Sequence, residues 1–154
     1  MTQRVRNYYN HAPASIKAMM DLEKSFADSS IEKTIQELVK LRASQINGCA
    51  FCLHMHATDL RKMGESEMRL YMLDAWHESS LYTPRERAAL GWTEALTRVA
   101  DTHAPDADYA MLKAAFSDAE QVQLTLMIGA INAWNRLAIG MRADHPVERA
   151  REVA

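Results

Sequence analysis

From Val122 to Met141 the sequence is apolar on almost every side of a helix, through Leu124, Leu126, Met127, Ile128, Ile131, Trp134, Leu137 and Ile139. A helix of that kind must be surrounded. It is not read as a membrane span, because Asn132, Asn135 and Arg136 interrupt the stretch. The rest of the chain must therefore wrap it. In 154 residues part of the cover is expected from a second copy, so the chain is expected to form a homo-oligomer. The three polar residues need partners if they are buried, and the pattern leaves open whether they are structural or line a pocket.

The wrapping elements are also read as helices. Five glycines and four prolines are too few for an all-β fold with many turns. The first helix follows Pro13 and carries Ile16, Met19, Met20, Leu22 and Phe26. The second is expected to start near Ser29, with Glu32 completing a capping box, and to stop at Asn47-Gly48. The third runs from about Cys49 to Met63 with Gly64 as its cap, and a fourth from Ser66 to His77. The fifth starts at Thr83-Pro84-Arg85-Glu86, with Thr as N-cap, Pro at the first helical position and Glu at the third. A short helix follows Pro105, and Ser117-Asp118-Ala119-Glu120 caps the long last one.

The expectation is a single all-α domain over residues 1–154, a bundle of six or seven helices, with residues 1–12 and 145–154 peripheral. The Cys49–Cys52 helix is placed between the second and last helices. Trp92, Trp134 and the ten methionines are assigned to the core. A net charge of −2 argues against a nucleic-acid partner, and no segment reads as a membrane anchor. The first nine residues hold no apolar leader, so the expected location is the cytoplasm.

In a reducing compartment a CxxC is catalytic or metal-binding more often than structural. Cys49 and Cys52 are the two cysteines of the chain. At a helix start they meet free N–H groups and the positive end of the macrodipole, which favour a thiolate. At i and i+3 they share a face and come within disulfide reach, so one can attack and the other resolve. His56, four residues after Cys52, lies one turn along the same face and can take its proton. The Asn47-Gly48 turn folds the third helix back on the second, which brings Glu37 toward His56. A carboxylate there orients the imidazole and raises its basicity. His54, two residues from Cys52, points to nearly the opposite side. Zinc is not expected, because one helix cannot aim residues 54 and 56 at one point.

Glu37, eleven intervening residues, then Cys49-x-x-Cys52-x-x-x-His56 resembles the signature of the AhpD-like alkylhydroperoxidases, in the carboxymuconolactone decarboxylase superfamily. The segments Tyr71–Trp76 and Arg87–Leu96 are similar too, so the likeness covers much of residues 15–140. It implies an all-helical fold, usually in trimers or hexamers. It implies reduction of a hydroperoxide substrate by a CxxC pair that an external dithiol or protein reductant restores, with no other cofactor. Carried onto this chain, Cys52 matches the peroxidatic cysteine, Cys49 its resolving partner, and His56 with Glu37 the proton relay. One position departs from the pattern. The best-known members carry a second histidine where this chain has Phe51, which cannot relay a proton. Lactone decarboxylases of the superfamily as a rule lack the CxxC, so their reaction is not expected. Two other classes stay open: a thiol–disulfide oxidoreductase or redox sensor acting on a protein, and a non-catalytic oligomeric binding protein.

Overall fold

The computed structural model describes residues 2–146, and the polar tail after Pro146 lies outside the described residues. Among these residues there are eight α-helices and no strand. They are α1 (Pro13–Ser25), α2 (Lys33–Asn47), α3 (Ala50–Lys62), α4 (Glu67–Tyr71), α5 (Pro84–Thr97), α6 (Val99–Thr102), α7 (Asp106–Ala115) and α8 (Asp118–Met141). Short 3-10 turns lie at Tyr8–His11 and Met72–Ala75. No helix among the described residues is long and apolar enough to cross a membrane.

α2 is the hub, packing on α3, α5 and α8. Its two apolar faces serve two cores. Ile35 and Val39 meet Ala89 and Trp92 of α5, Leu112 of α7 and Phe116 at its end, and Leu124 and Ile128 of α8. Leu38 and Leu41 meet Leu60 of α3, Leu73, Trp76, Tyr82 and Leu90. Both of the strongest sequence signals for helix starts are realised. Thr83 with Glu86 and Ser117 with Glu120 each form a reciprocal capping box.

Other expectations are corrected. No capping box forms at Ser29. Its hydroxyl accepts from the Ile31 N–H at 3.2 Å and donates to Gln123 on α8 at 2.7 Å, so α2 starts three residues later than that box requires. Glu32 accepts from Arg85 instead of folding back on the chain. The fourth helix stops after Tyr71 and tightens into a 3-10 turn. Tighter winding stacks i and i+3, which buries Leu73 and Trp76 together. The one-turn α6 was not expected. The amino-terminal segment, mostly exposed, is tied to the end of α8: the Arg4 N–H donates to the Met141 carbonyl at 3.0 Å and its guanidinium to Gly140 at 2.9 Å.

The core assignment of the methionines fails for most of them. Met127 is fully buried, whereas Met20, Met55, Met63, Met68 and Met111 are exposed. Trp92 is in the core, but Trp134 is half-buried at a cleft. α8 is not covered all round either, and leaves Val122, Leu126 and Ile139 exposed.

Buried Arg42 ties α2 to two other elements. It donates to Glu94 of α5 at 2.8 Å and pairs with Asp74 in the 3-10 turn. Glu94 also accepts from the Trp76 indole at 2.8 Å. Burial pushes the Glu94 carboxyl up, but the hydrogen bond from Trp76 and the charge of Arg42 outweigh it and hold it below the ordinary carboxylate value. A carboxyl lowered in this way stabilises the fold above its ordinary value, and the contribution is lost as pH falls through the lower folded value. Glu94→Gln is therefore expected to lose about 2 kcal/mol near pH 7 in urea unfolding with an unchanged slope. The difference from the unsubstituted protein should shrink in acid. Equal stability at neutral pH would remove the ion pair from the account.

Candidate active site

The site begins at the end of α2. Gly48 adopts φ +70°, a left-handed conformation that favours glycine. Its N–H donates to Gln45 at 3.2 Å and that of Cys49 to Ser44 at 3.0 Å, the paired bonds of a Schellman stop. The polar residues of α8 hold this stop in place. The Asn47 carboxamide donates to Asn132 at 2.9 Å and to Asn135 at 2.8 Å. Asn135 donates to Ser44 at 3.1 Å and Asn132 to Thr97 at 3.1 Å. Asn132 and Asn135 are thus structural, and Arg136 donates to Asn132 from the exposed side. The question that the sequence left open is answered by Asn47.

Directly after the stop, Cys49 is the N-cap of α3, and the Cys52 N–H points at its sulfur at 3.4 Å. The two cysteines are joined as a disulfide, with their Cα atoms 5.3 Å apart. Both are buried, packed with Ala138 of α8. They are not equivalent. Cys52 lines a cleft of about 510 Å³ and Cys49 does not.

The reversal at Gly48 lays α3 against α2, and Glu37 meets His56. Glu37 Oε2 lies 2.8 Å from His56 Nδ1. A carboxylate there is an acceptor, so Nδ1 carries the proton and Nε2 is left with its lone pair whenever the ring is neutral. Among the described residues His56 Nε2 is buried without a hydrogen-bond partner. One turn before it on the same face stands Cys52, and both line the cleft.

The other oxygen, Glu37 Oε1, lies 3.3 Å from Lys40, which is also 3.2 Å from Glu23 of α1. Burial pushes the Glu37 carboxyl up. The hydrogen bond from His56 and the charge of Lys40 more than offset that, so Glu37 is held below the ordinary carboxylate value. Burial likewise pushes Lys40 down, and the charges of Glu37 and Glu23 outweigh it and hold the ammonium above its ordinary value.

The rest of the cleft wall is mostly apolar: Tyr9, Phe51, Met55, Ile131, Trp134. Phe51 stands between the cysteines and presents a hydrocarbon surface where a second imidazole would add a proton carrier. His54 is exposed on the other side of α3, its ring 6.1 Å from that of His145. Among the described residues no group of three or more His, Cys, Asp or Glu side chains could hold a metal ion.

The structure thus brings together all four residues singled out from the sequence. It adds Lys40, Glu23, Tyr9 and Trp134. Lys40 was legible as a cation three residues after Glu37 on the same helix face. Glu23, Tyr9 and Trp134 were not, since their approach depends on how α1, the amino-terminal segment and α8 pack around α3.

A helical bundle presenting a cleft-lining CxxC at a helix start, beside a carboxylate-held histidine, defines an AhpD-like protein. The chain belongs to the carboxymuconolactone decarboxylase family, whose model matches residues 13–95. The uncharacterised protein YdfG of Bacillus subtilis (strain 168) is 48% identical over 141 residues, 92% of this chain and 95% of that protein. A crystal structure from Agrobacterium tumefaciens, of a protein of unknown function provisionally described as the antioxidant-defence protein AhpD, is 48% identical with a TM-score of 0.91. The match covers 96% of this chain and 100% of that one. An uncharacterised peroxidase-related protein from Silicibacter sp. TM1040 shares the fold at 23% identity and a TM-score of 0.77, over 92% of this chain and 75% of its own.

The unequal placement of the two sulfurs has a measurable consequence. When the reduced protein is treated with limiting iodoacetamide, peptide mapping at half-labelling should find the label on Cys52. Label on Cys49 first would mean that the cleft is not the route to the pair.

Proposed function

We propose that this chain is a thiol-dependent hydroperoxide reductase. The observation that carries the reading is the orientation of His56. Its Nδ1 is engaged by Glu37 while its unpartnered Nε2 shares a cleft with Cys52.

In the reduced protein His56 takes the Cys52 proton. The thiolate attacks the terminal oxygen of the hydroperoxide, and the O–O bond breaks. Cys52 becomes a sulfenic acid, and the alkoxide leaves as an alcohol with the proton from His56. The Cys49 thiol then attacks the sulfenic sulfur. The S–S bond forms and the hydroxyl leaves as water with the Cys49 proton. An external dithiol or protein reductant supplies the two electrons and two protons that restore the pair. The disulfide seen in the structure is the end point of the oxidative half of this cycle.

Glu37 acts through the imidazole. It fixes which nitrogen is free and stabilises the imidazolium that forms. Phe51 supplies no proton carrier between the cysteines, and gives the peroxide's organic group an apolar wall. The reductive half requires a thiol-reducing compartment, and we place the protein in the cytoplasm. The apolar residues exposed on α8 support a homo-oligomer, and the family resemblance implies a trimer or hexamer.

The test is hydroperoxide consumption with excess dithiol. The unsubstituted protein should turn over continuously and Cys52→Ser should lose at least about a hundredfold in rate, since the attacking atom is gone. Cys49→Ser should turn over more slowly, because the Cys52 sulfenic acid must then be reduced directly by the external dithiol. Consumption that survives in Cys52→Ser, or none in a protein shown to start with two thiols, would sink the reading. A mixed disulfide trapped between Cys49→Ser and a cellular protein would then favour thiol–disulfide exchange.

A further inference from the structure

None of the steps above uses Lys40, although it is the cation closest to the proton relay. Its side chain is 12% exposed, and its ammonium is shared between Glu37 Oε1 at 3.3 Å and Glu23 Oε2 at 3.2 Å. Glu37 Oε2 is taken by His56 Nδ1 at 2.8 Å. The row Glu23–Lys40–Glu37–His56 therefore runs from α1 across α2 to α3 without a gap.

Each link has a physical consequence. The terminal torsion of a glutamate is broad and nearly two-fold, so a carboxylate gripped at one oxygen can still turn. Gripped at both, its plane is fixed. Burial disfavours the charged form of a carboxyl, and a cation in contact restores it. A neutral Glu37 would itself carry an O–H donor and would no longer require a donor at Nδ1. The imidazole could then move its proton to Nε2 and lose its lone pair on the cleft side. Two other charged side chains, Lys24 and Asp59, line the cleft, while α8 contributes only Ile131, Trp134 and Ala138 to it. Among the described residues, Lys40 is the one cation in contact with Glu37 apart from a protonated His56.

We propose that Lys40 is a positioning residue that pins the Glu37 carboxylate between α2 and α3 and thereby keeps His56 in the Nδ1–H tautomer, with Nε2 free as the base. Lys40 touches neither the sulfurs nor the substrate. Its effect is read at His56. The catalytic value of that effect rests on the hydroperoxide reading, whereas the tautomer does not.

The experiment is 15N NMR of His56 in the oxidised protein and in Lys40→Met and Lys40→Arg. It is paired with the rate at which hydroperoxide oxidises the reduced forms. At a pH where the ring is neutral, the unsubstituted protein and Lys40→Arg should show it protonated at Nδ1. Lys40→Met should show a mixture with the Nε2–H form and oxidise about tenfold more slowly, with Lys40→Arg recovering most of the rate. If Lys40→Met does not fold because two carboxylates are left facing, Glu23→Gln/Lys40→Met removes that repulsion and carries the same expectation. A folded Lys40→Met or double variant that keeps the Nδ1–H ring overturns the inference, as does a folded Lys40→Arg that loses it. A tautomer shift without hydroperoxide oxidation in any form would uphold the positioning role and overturn the peroxide reading.

Discussion

The site depends on one reversal of the chain. Gly48 turns α2 into α3 with a left-handed backbone, and Asn47 fastens that turn to α8 through Asn132 and Asn135. The paired N–H donations at Gly48 and Cys49 satisfy two carbonyls at the end of α2. The turn also places Cys49 at the N-cap of α3, where the helix end favours sulfur in its anionic form. The same reversal lays His56 against Glu37, nineteen positions apart in sequence. A polar clamp inside an apolar bundle is costly unless every group is paired. Here the amides of Asn47, Asn132 and Asn135, with the hydroxyls of Ser44 and Thr97, pair one another.

The second constraint is electrostatic. A buried carboxylate beside a histidine is stable as an anion only if the surroundings offset its desolvation. Lys40 and His56 do so for Glu37, and Glu37 with Glu23 do so for Lys40. The arrangement holds charge in the cleft while the opposite wall stays apolar through Phe51, Met55, Ile131 and Trp134. A low-polarity wall excludes water and strengthens each of these interactions.

Much of this was legible in the sequence because it is local. Capping boxes at Thr83 and Ser117 and the stop at Gly48 are set by residues within one turn of each other. The Cys52–His56 relation follows from helical spacing. Glu37 was reachable because a tight turn between two helices leaves one way to fold back. What was not legible depends on distant packing. Ser29 prefers Gln123 on α8 to its own helix start. Trp134 and Met55 look like core residues in the pattern, yet they line the cleft, because periodicity marks an apolar face without saying what it faces. Tyr9 reaches the cleft because the amino-terminal segment is tied to the end of α8 by Arg4.

The central claim is that the Glu37–His56 pair makes Cys52 a nucleophile toward the O–O bond. A single-turnover experiment on the reduced protein tests it most directly. One equivalent of hydroperoxide should yield one equivalent of alcohol and one Cys49–Cys52 disulfide, with the protein lighter by two hydrogens. In Glu37→Gln the rate should fall by at least about tenfold while the stoichiometry is kept. Oxidation of Glu37→Gln at the unsubstituted rate, or of the native protein no faster than the same chain unfolded, would contradict the account.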